Sequence, residues 1–171
     1  DKDKLKGLYF WEQHAKKNYK NKRNFNENHD SLDSKEFENM IYFKTLQMNV
    51  LNKAYNFSPN RWAELYVENL NILSVSYRDS GRVAEAIKLI EKSLEIAKEF
   101  YNKSPKSWGY LYTESLCNQA LLYKKTGKVV KAIELEEESL EIIKNLHQKN
   151  NGGYWIHPYL RSLNNLADSY K

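Results

Sequence analysis

The stretch SPNRWAELYVENLNILSVSYRDSGRVAEAIKLIEKSLEIAKEFYN (residues 58–102) decides the fold, because the chain repeats it as SPKSWGYLYTESLCNQALLYKKTGKVVKAIELEEESLEIIKNLHQ (residues 104–148). Ser58-Pro59 matches Ser104-Pro105, Trp62 matches Trp108, Leu70 matches Leu116, and Tyr77 matches Tyr123. Gly81 then pairs with Gly127, Ala86-Ile87 with Ala132-Ile133, and Ser93-Leu94-Glu95-Ile96 with Ser139-Leu140-Glu141-Ile142, always at an offset of 46. A third copy opens at an offset of 47 with Trp155, Leu163 and Tyr170. Agreement at so many large or conformationally special residues marks an internal repeat.

Each unit carries the chemistry of two helices. Pro59 and Pro105 precede a periodic run, where a missing N–H costs nothing. Gly81 and Gly127 stand between runs, where a helix end in the left-handed region favours glycine. Leu70, Leu73, Ser74 and Tyr77 before the first Gly recur at helical spacing, as do Leu116, Ala120 and Tyr123 before the second. After the glycines the same period runs through Ala86, Ile87, Ile90, Leu94 and Ala97, and through Ala132, Ile133, Leu140 and Ile143. Leu116, Ala120, Tyr123, Ala132 and Ile133 are the expected core. Ser74, Ala120 and Ala167, each three residues before a Tyr, are small enough to let a neighbouring helix come close.

These residues, Leu-x2-Leu-(Ser/Ala)-x2-Tyr-x3-Gly-x4-Ala, resemble the tetratricopeptide repeat. HPYLRSLNNLADSY (residues 157–170) is similar to the longer-helix variety found in kinesin light chains and in many bacterial multidomain proteins. The resemblance covers residues 60–171. It departs at Gln119, where the second Leu is usual, and in a period longer than about 34, which longer helices account for. It implies an all-α fold: a right-handed α-solenoid of antiparallel helix pairs, about seven helices long. Their expected spans are 5–22, 35–57, 60–80, 82–103, 106–126, 128–149 and 156–171. Residues 1–59 read as a degenerate N-terminal helix pair or cap, with a polar loop near 24–34. Repeats then occupy 60–105, 106–151 and, in part, 152–171. The last helix is the first half of a further unit, and the expectation is that the segment comes from a longer protein.

Composition narrows the function classes. The 171 residues are 41% apolar and 13% aromatic, too rich for a disordered chain. No apolar run approaches the roughly 20 residues of a membrane span. The net charge of +5 sits in residues 1–24, where eight Lys/Arg face three acids, while 25–171 balance at 19 of each. A basic segment, KKNYKNKR (Lys16–Arg23), is therefore set apart from a neutral body. Cys117 is the sole cysteine and has no internal disulfide partner, so the expected setting is cytoplasmic, a removed leader aside.

Catalysis finds no convergent set of reactive groups. His14, His29, His147 and His157 lack metal-binding spacing, and no Gly-rich phosphate loop is present, so neither metal nor cofactor is expected. The acids of ELEEESLE (Glu134–Glu141) are expected to wind round a solvated face, Trp62, Trp108 and Trp155 to anchor packing, and Cys117 to be passive. The resemblance implies instead that first helices line a concave groove for a protein or peptide, or for another domain of the same chain. Carried onto this sequence, the groove stripe is Glu68, Asn71, Val75 and Arg78; Glu114, Cys117, Leu121 and Lys124; and Arg161, Asn164, Asp168 and Lys171. Spacing of 3, 4 and 3 places each set on one helix face. The mixed charges do not match the Lys/Asn pattern with which some family members clamp a terminal carboxylate. The expected function is a non-catalytic interaction scaffold. The alternatives are single-stranded nucleic-acid binding through Lys16–Arg23, with Tyr19 to stack, and a sensory or regulatory segment of a larger enzyme.

Overall fold

The computed structural model describes residues 34–149 and 156–170. Among them are six α-helices and no strand: α1 (Ser34–Phe57), α2 (Pro59–Asp79), α3 (Val83–Lys103), α4 (Pro105–Lys125), α5 (Val129–Lys149) and α6 (Ile156–Ser169). The expected helix at 5–22 and the loop near 24–34 lie outside the described residues, apart from the loop's last residue, Ser34, which opens α1. The chain divides into two compact units, residues 1–43 and 44–171, with the boundary inside α1. Of the first unit only 34–43 are described, helical, with the Tyr42 and Phe43 rings edge to face at 5.5 Å.

In the second unit each helix packs on the next, α2 on α3, α3 on α4, α4 on α5 and α5 on α6. Neighbouring first helices α2 and α4 also touch, as do α4 and α6. This is an all-α solenoid. Its regularity is local in origin: α2 and α4 begin and end 46 residues apart, and so do α3 and α5.

The same devices end the helices in both units. Gly81 and Gly127 adopt φ of +79° and +75°, a region that penalises any Cβ. The turn lets the Arg82 N–H donate to the Tyr77 carbonyl and the Lys128 N–H to the Tyr123 carbonyl, each at 2.8 Å. Arg82 then lies 4.3 Å over the Tyr77 ring and Lys128 5.6 Å over the Tyr123 ring, a cation–π contact repeated at one place in each unit. Ser58 and Ser104 hold φ near −148° and −146° with Pro at the following position, and neither side chain caps its helix.

The core follows the apolar stripes. Leu70, Leu73, Ser74 and Tyr77 of α2 are buried with Ala86 and Ile90 of α3; Leu116, Ala120 and Ala132 are buried one unit on. Tyr123 and Ile133, expected in the core, are half-buried. Trp62 is buried, Trp108 is half-buried and stacks on Phe100 at 4.6 Å, and Trp155 lies outside the described residues. A ladder of ring pairs joins successive units at equivalent positions: Tyr55 stacked with Tyr66 at 5.0 Å, Tyr101 tilted against Tyr112 at 5.1 Å, and His147 stacked with Tyr159 at 6.4 Å.

One expectation about the acids of α5 needs correction. Glu134, Glu137, Glu138 and Glu141 are exposed, but Glu136 is buried. It occupies the place of Ile90 in the preceding unit, so the backbone carries it inward. Lys124 Nζ stands 2.9 Å from Glu136 Oε1, and the Ser169 hydroxyl donates to Oε2 at 2.5 Å. A charge in that position persists because it is paired.

Candidate partner-binding groove

The first helices α2, α4 and α6 meet along a seam of small polar side chains at the level of the expected stripe. Ser93 on α3 donates to Asn71 Oδ1 at 2.7 Å and lies 2.9 Å from Ser115 Oγ on α4. One unit on, Ser139 on α5 lies 3.3 Å from Cys117 Sγ and 3.3 Å from Ser162 Oγ on α6. Asn71 and Cys117 are equivalent positions in the repeat, so each unit uses that position to join its own second helix to the next first helix.

This seam divides the eleven stripe residues that the structure describes into three groups. Asn71 and Cys117 are buried in it. Lys124 is committed to Glu136, and its ammonium also donates to Ser169 Oγ at 3.0 Å, which pins α6 to α4 and α5. The others retain exposure: Glu68, Val75, Arg78, Glu114 and Leu121 are half-buried, and Arg161, Asn164 and Asp168 are exposed. Lys171 lies outside the described residues, as does the basic segment Lys16–Arg23. Arg78 has a second task, since its guanidinium pairs with Asp79 at 2.8 Å while its carbonyl accepts Lys125 Nζ at 2.8 Å.

Glu114, Cys117 and Arg161 are brought together. With Tyr110, Thr113 and Pro158 they line a small pocket between α4 and α6, with room for little more than a water molecule. Burial pushes the Glu114 carboxyl above the usual carboxylate range, opposed by the positive charge of Arg161 and by the Asn71 side chain. Asn71 gives its oxygen to the two serines, so its amide nitrogen is left facing the carboxylate without a well-aligned acceptor. Tyr110 was absent from the expected stripe; it lies four residues before Glu114, on the same helix face. Glu136 and Ser169 were missed too. The signal for Glu136 was present, as a break in the repeat where Ile90 becomes an acid.

Among the described residues no group of three or more His, Cys, Asp or Glu could hold a metal ion, and no helix is long and apolar enough to cross a membrane. The fold and surface define a helical-repeat protein, built from stacked helix pairs with the faces of its first helices left partly open. Residues 70–104 match the family model described as tetratricopeptide repeat, and the 46-residue recurrence carries the same pattern along the chain. Residues 70–104 therefore carry a repeat of the tetratricopeptide type, a kind of repeat that generally mediates protein–protein interaction. No curated protein and no solved structure matches the chain.

Proposed function

We propose that the protein is a non-catalytic scaffold whose first-helix surface holds an extended segment of a protein partner, or of another domain of its own chain. The supporting observation is the exposure that survives packing: Val75 and Leu121, one repeat apart on α2 and α4, present apolar side chains flanked by Glu68, Arg78 and Arg161. An apolar line bordered by both signs of charge suits a peptide with alternating apolar anchors and mixed charges. Asn71, Cys117 and Lys124 contribute by fixing the spacing between first helices, and the partner contacts fall to the exposed members. The repeats at 60–105, 106–151 and 152–171 form the working body in this reading, with 1–59 as its N-terminal cap.

The test is selection from a random displayed-peptide library on the intact protein, followed by Val75→Arg with Leu121→Arg. Peptides of one sequence class should be enriched, and the double variant should weaken them by roughly tenfold or more with helical circular dichroism unchanged. Failure to enrich a class, or binding that survives the double variant, refutes the groove.

A further inference from the structure

We infer that the pocket between α4 and α6 seats the ammonium group of one lysine of the segment held in the groove, with Glu114 as its counter-ion. The inference rests on the groove reading above and names the side chain that this part of the groove selects. Three stripe residues, Glu114, Cys117 and Arg161, line the pocket, so a segment lying along the stripe passes over it.

The repeat shows why a space lies here. One unit earlier the seam holds the Asn71 amide. Its oxygen accepts from Ser93 at 2.7 Å and from Ser115 at 3.1 Å, and its nitrogen faces Glu114 on the next first helix. The same position of α4 is Cys117, whose side chain ends at the sulfur, 3.3 Å from Ser139 Oγ. No amide extends from there towards Arg161, which holds on α6 the place that Glu114 holds on α4. The pocket opens among these residues.

The lining selects the occupant. Tyr110, Ile143 and Pro158 supply carbon surface of the kind that receives a methylene stem. Glu114 supplies the acceptor. Burial holds its carboxyl above the usual range, and among the described residues no cation stands within ion-pair distance of it and no donor is well aligned with it. A cation set directly against the carboxylate restores what burial removed. An ammonium is close to a water molecule in size and matches the room available, whereas a planar guanidinium is too wide. Arg161 acts on Glu114 through space and opposes an incoming cation. Lysine prevails because its ammonium comes closer to the carboxylate than the guanidinium of Arg161 does.

The first probe is n-butylammonium, which tests the pocket independently of any peptide. In a nuclear magnetic resonance titration of the intact protein it should shift the backbone amides of Glu114, Cys117 and Ser162 saturably, and leave that of the exposed Glu134 in place. The uncharged n-butanol should produce no such shift, and methylguanidinium should bind more weakly. Glu114→Gln should weaken the amine by roughly tenfold, and Arg161→Ala should strengthen it. Cys117→Asn, which sets in the pocket the residue that the fold accepts at position 71, should block it with the helical signal unchanged. The second probe is the peptide class enriched on the groove. Its members should share a lysine whose replacement by norleucine weakens binding at least roughly tenfold in the parent and little in Glu114→Gln. An amine that binds no better than butanol overturns the inference and leaves the groove standing, and so does an enriched class indifferent to its lysine. Amine binding with no enriched peptide class refutes the groove, and with it lysine as the source of the ammonium.

Discussion

Removing Lys124 while leaving Glu136 in place should cost far more than removing both. Glu136 is 1% exposed, with one carboxylate oxygen 2.9 Å from Lys124 Nζ and the other accepting from Ser169. Lys124→Met deletes the cation and strands a buried carboxylate on a single hydrogen bond. Breaking a buried pair from one side costs roughly 3–5 kcal/mol. The Lys124 side chain retains 24% exposure, so water offsets part of the loss, and about 3 kcal/mol is the working figure. At roughly 2–4 °C per kcal/mol for a chain of this size, the melting temperature should fall by about 6–12 °C. The double change Lys124→Met with Glu136→Ile restores the residue found at position 90 and leaves no buried charge. It should fall within about 1 kcal/mol of the parent or exceed it. Ser169 loses little, because it also donates to the Asn165 carbonyl at 3.1 Å. A double-mutant cycle by urea unfolding reads the coupling, expected at about 2–3 kcal/mol. Amide exchange across 156–169 should accelerate in the single variant, since this network ties α6 to its neighbours. A Lys124→Met loss below about 0.5 kcal/mol, or strictly additive single changes, would refute the claim that a paired buried charge anchors the last helix.

Two further outcomes follow from the same contacts. Ala132→Arg forces a long cation into a fully buried helix contact and should cost about 3 kcal/mol or more, seen as a drop in urea midpoint; an unchanged midpoint would remove Ala132 from the core. Glu114→Gln should stabilise the protein at neutral pH. The Glu114 carboxyl titrates above its unfolded value of about 4.3, so its ionisation weakens the fold as pH rises through that range, and the penalty stands in full above the native value. The advantage of the variant in melting temperature should therefore shrink towards zero below about pH 4, and an advantage independent of pH would refute the cause.

Helix pairs, their ends and their period were all legible in the residues, because each rests on neighbours along the chain. Gly81 and Gly127 mark left-handed turns, Pro59 and Pro105 mark helix starts, and every described boundary falls within two residues of its expected position. The apolar stripe of each first helix was legible for the same reason: a 3.6-residue period depends only on spacing. The polar positions beside that stripe were not. Asn71, Cys117 and Lys124 share one helix face with Val75 and Leu121, yet the first three are committed to neighbouring helices and the last two are half-exposed. Spacing assigns a side chain to a face, but a first helix in a solenoid touches its own second helix, the preceding one and a neighbouring first helix at once. Whether a polar group at the edge of a face meets water, a serine or a buried carboxylate depends on how closely those three backbones approach. The same distinction separates Glu136 from the exposed acids around it, and Leu163 and Ala167 from the buried Leu116 and Ala120. The residues alone determined which positions are alike; the packing decided which of them are covered, because burial belongs to the neighbour as much as to the residue.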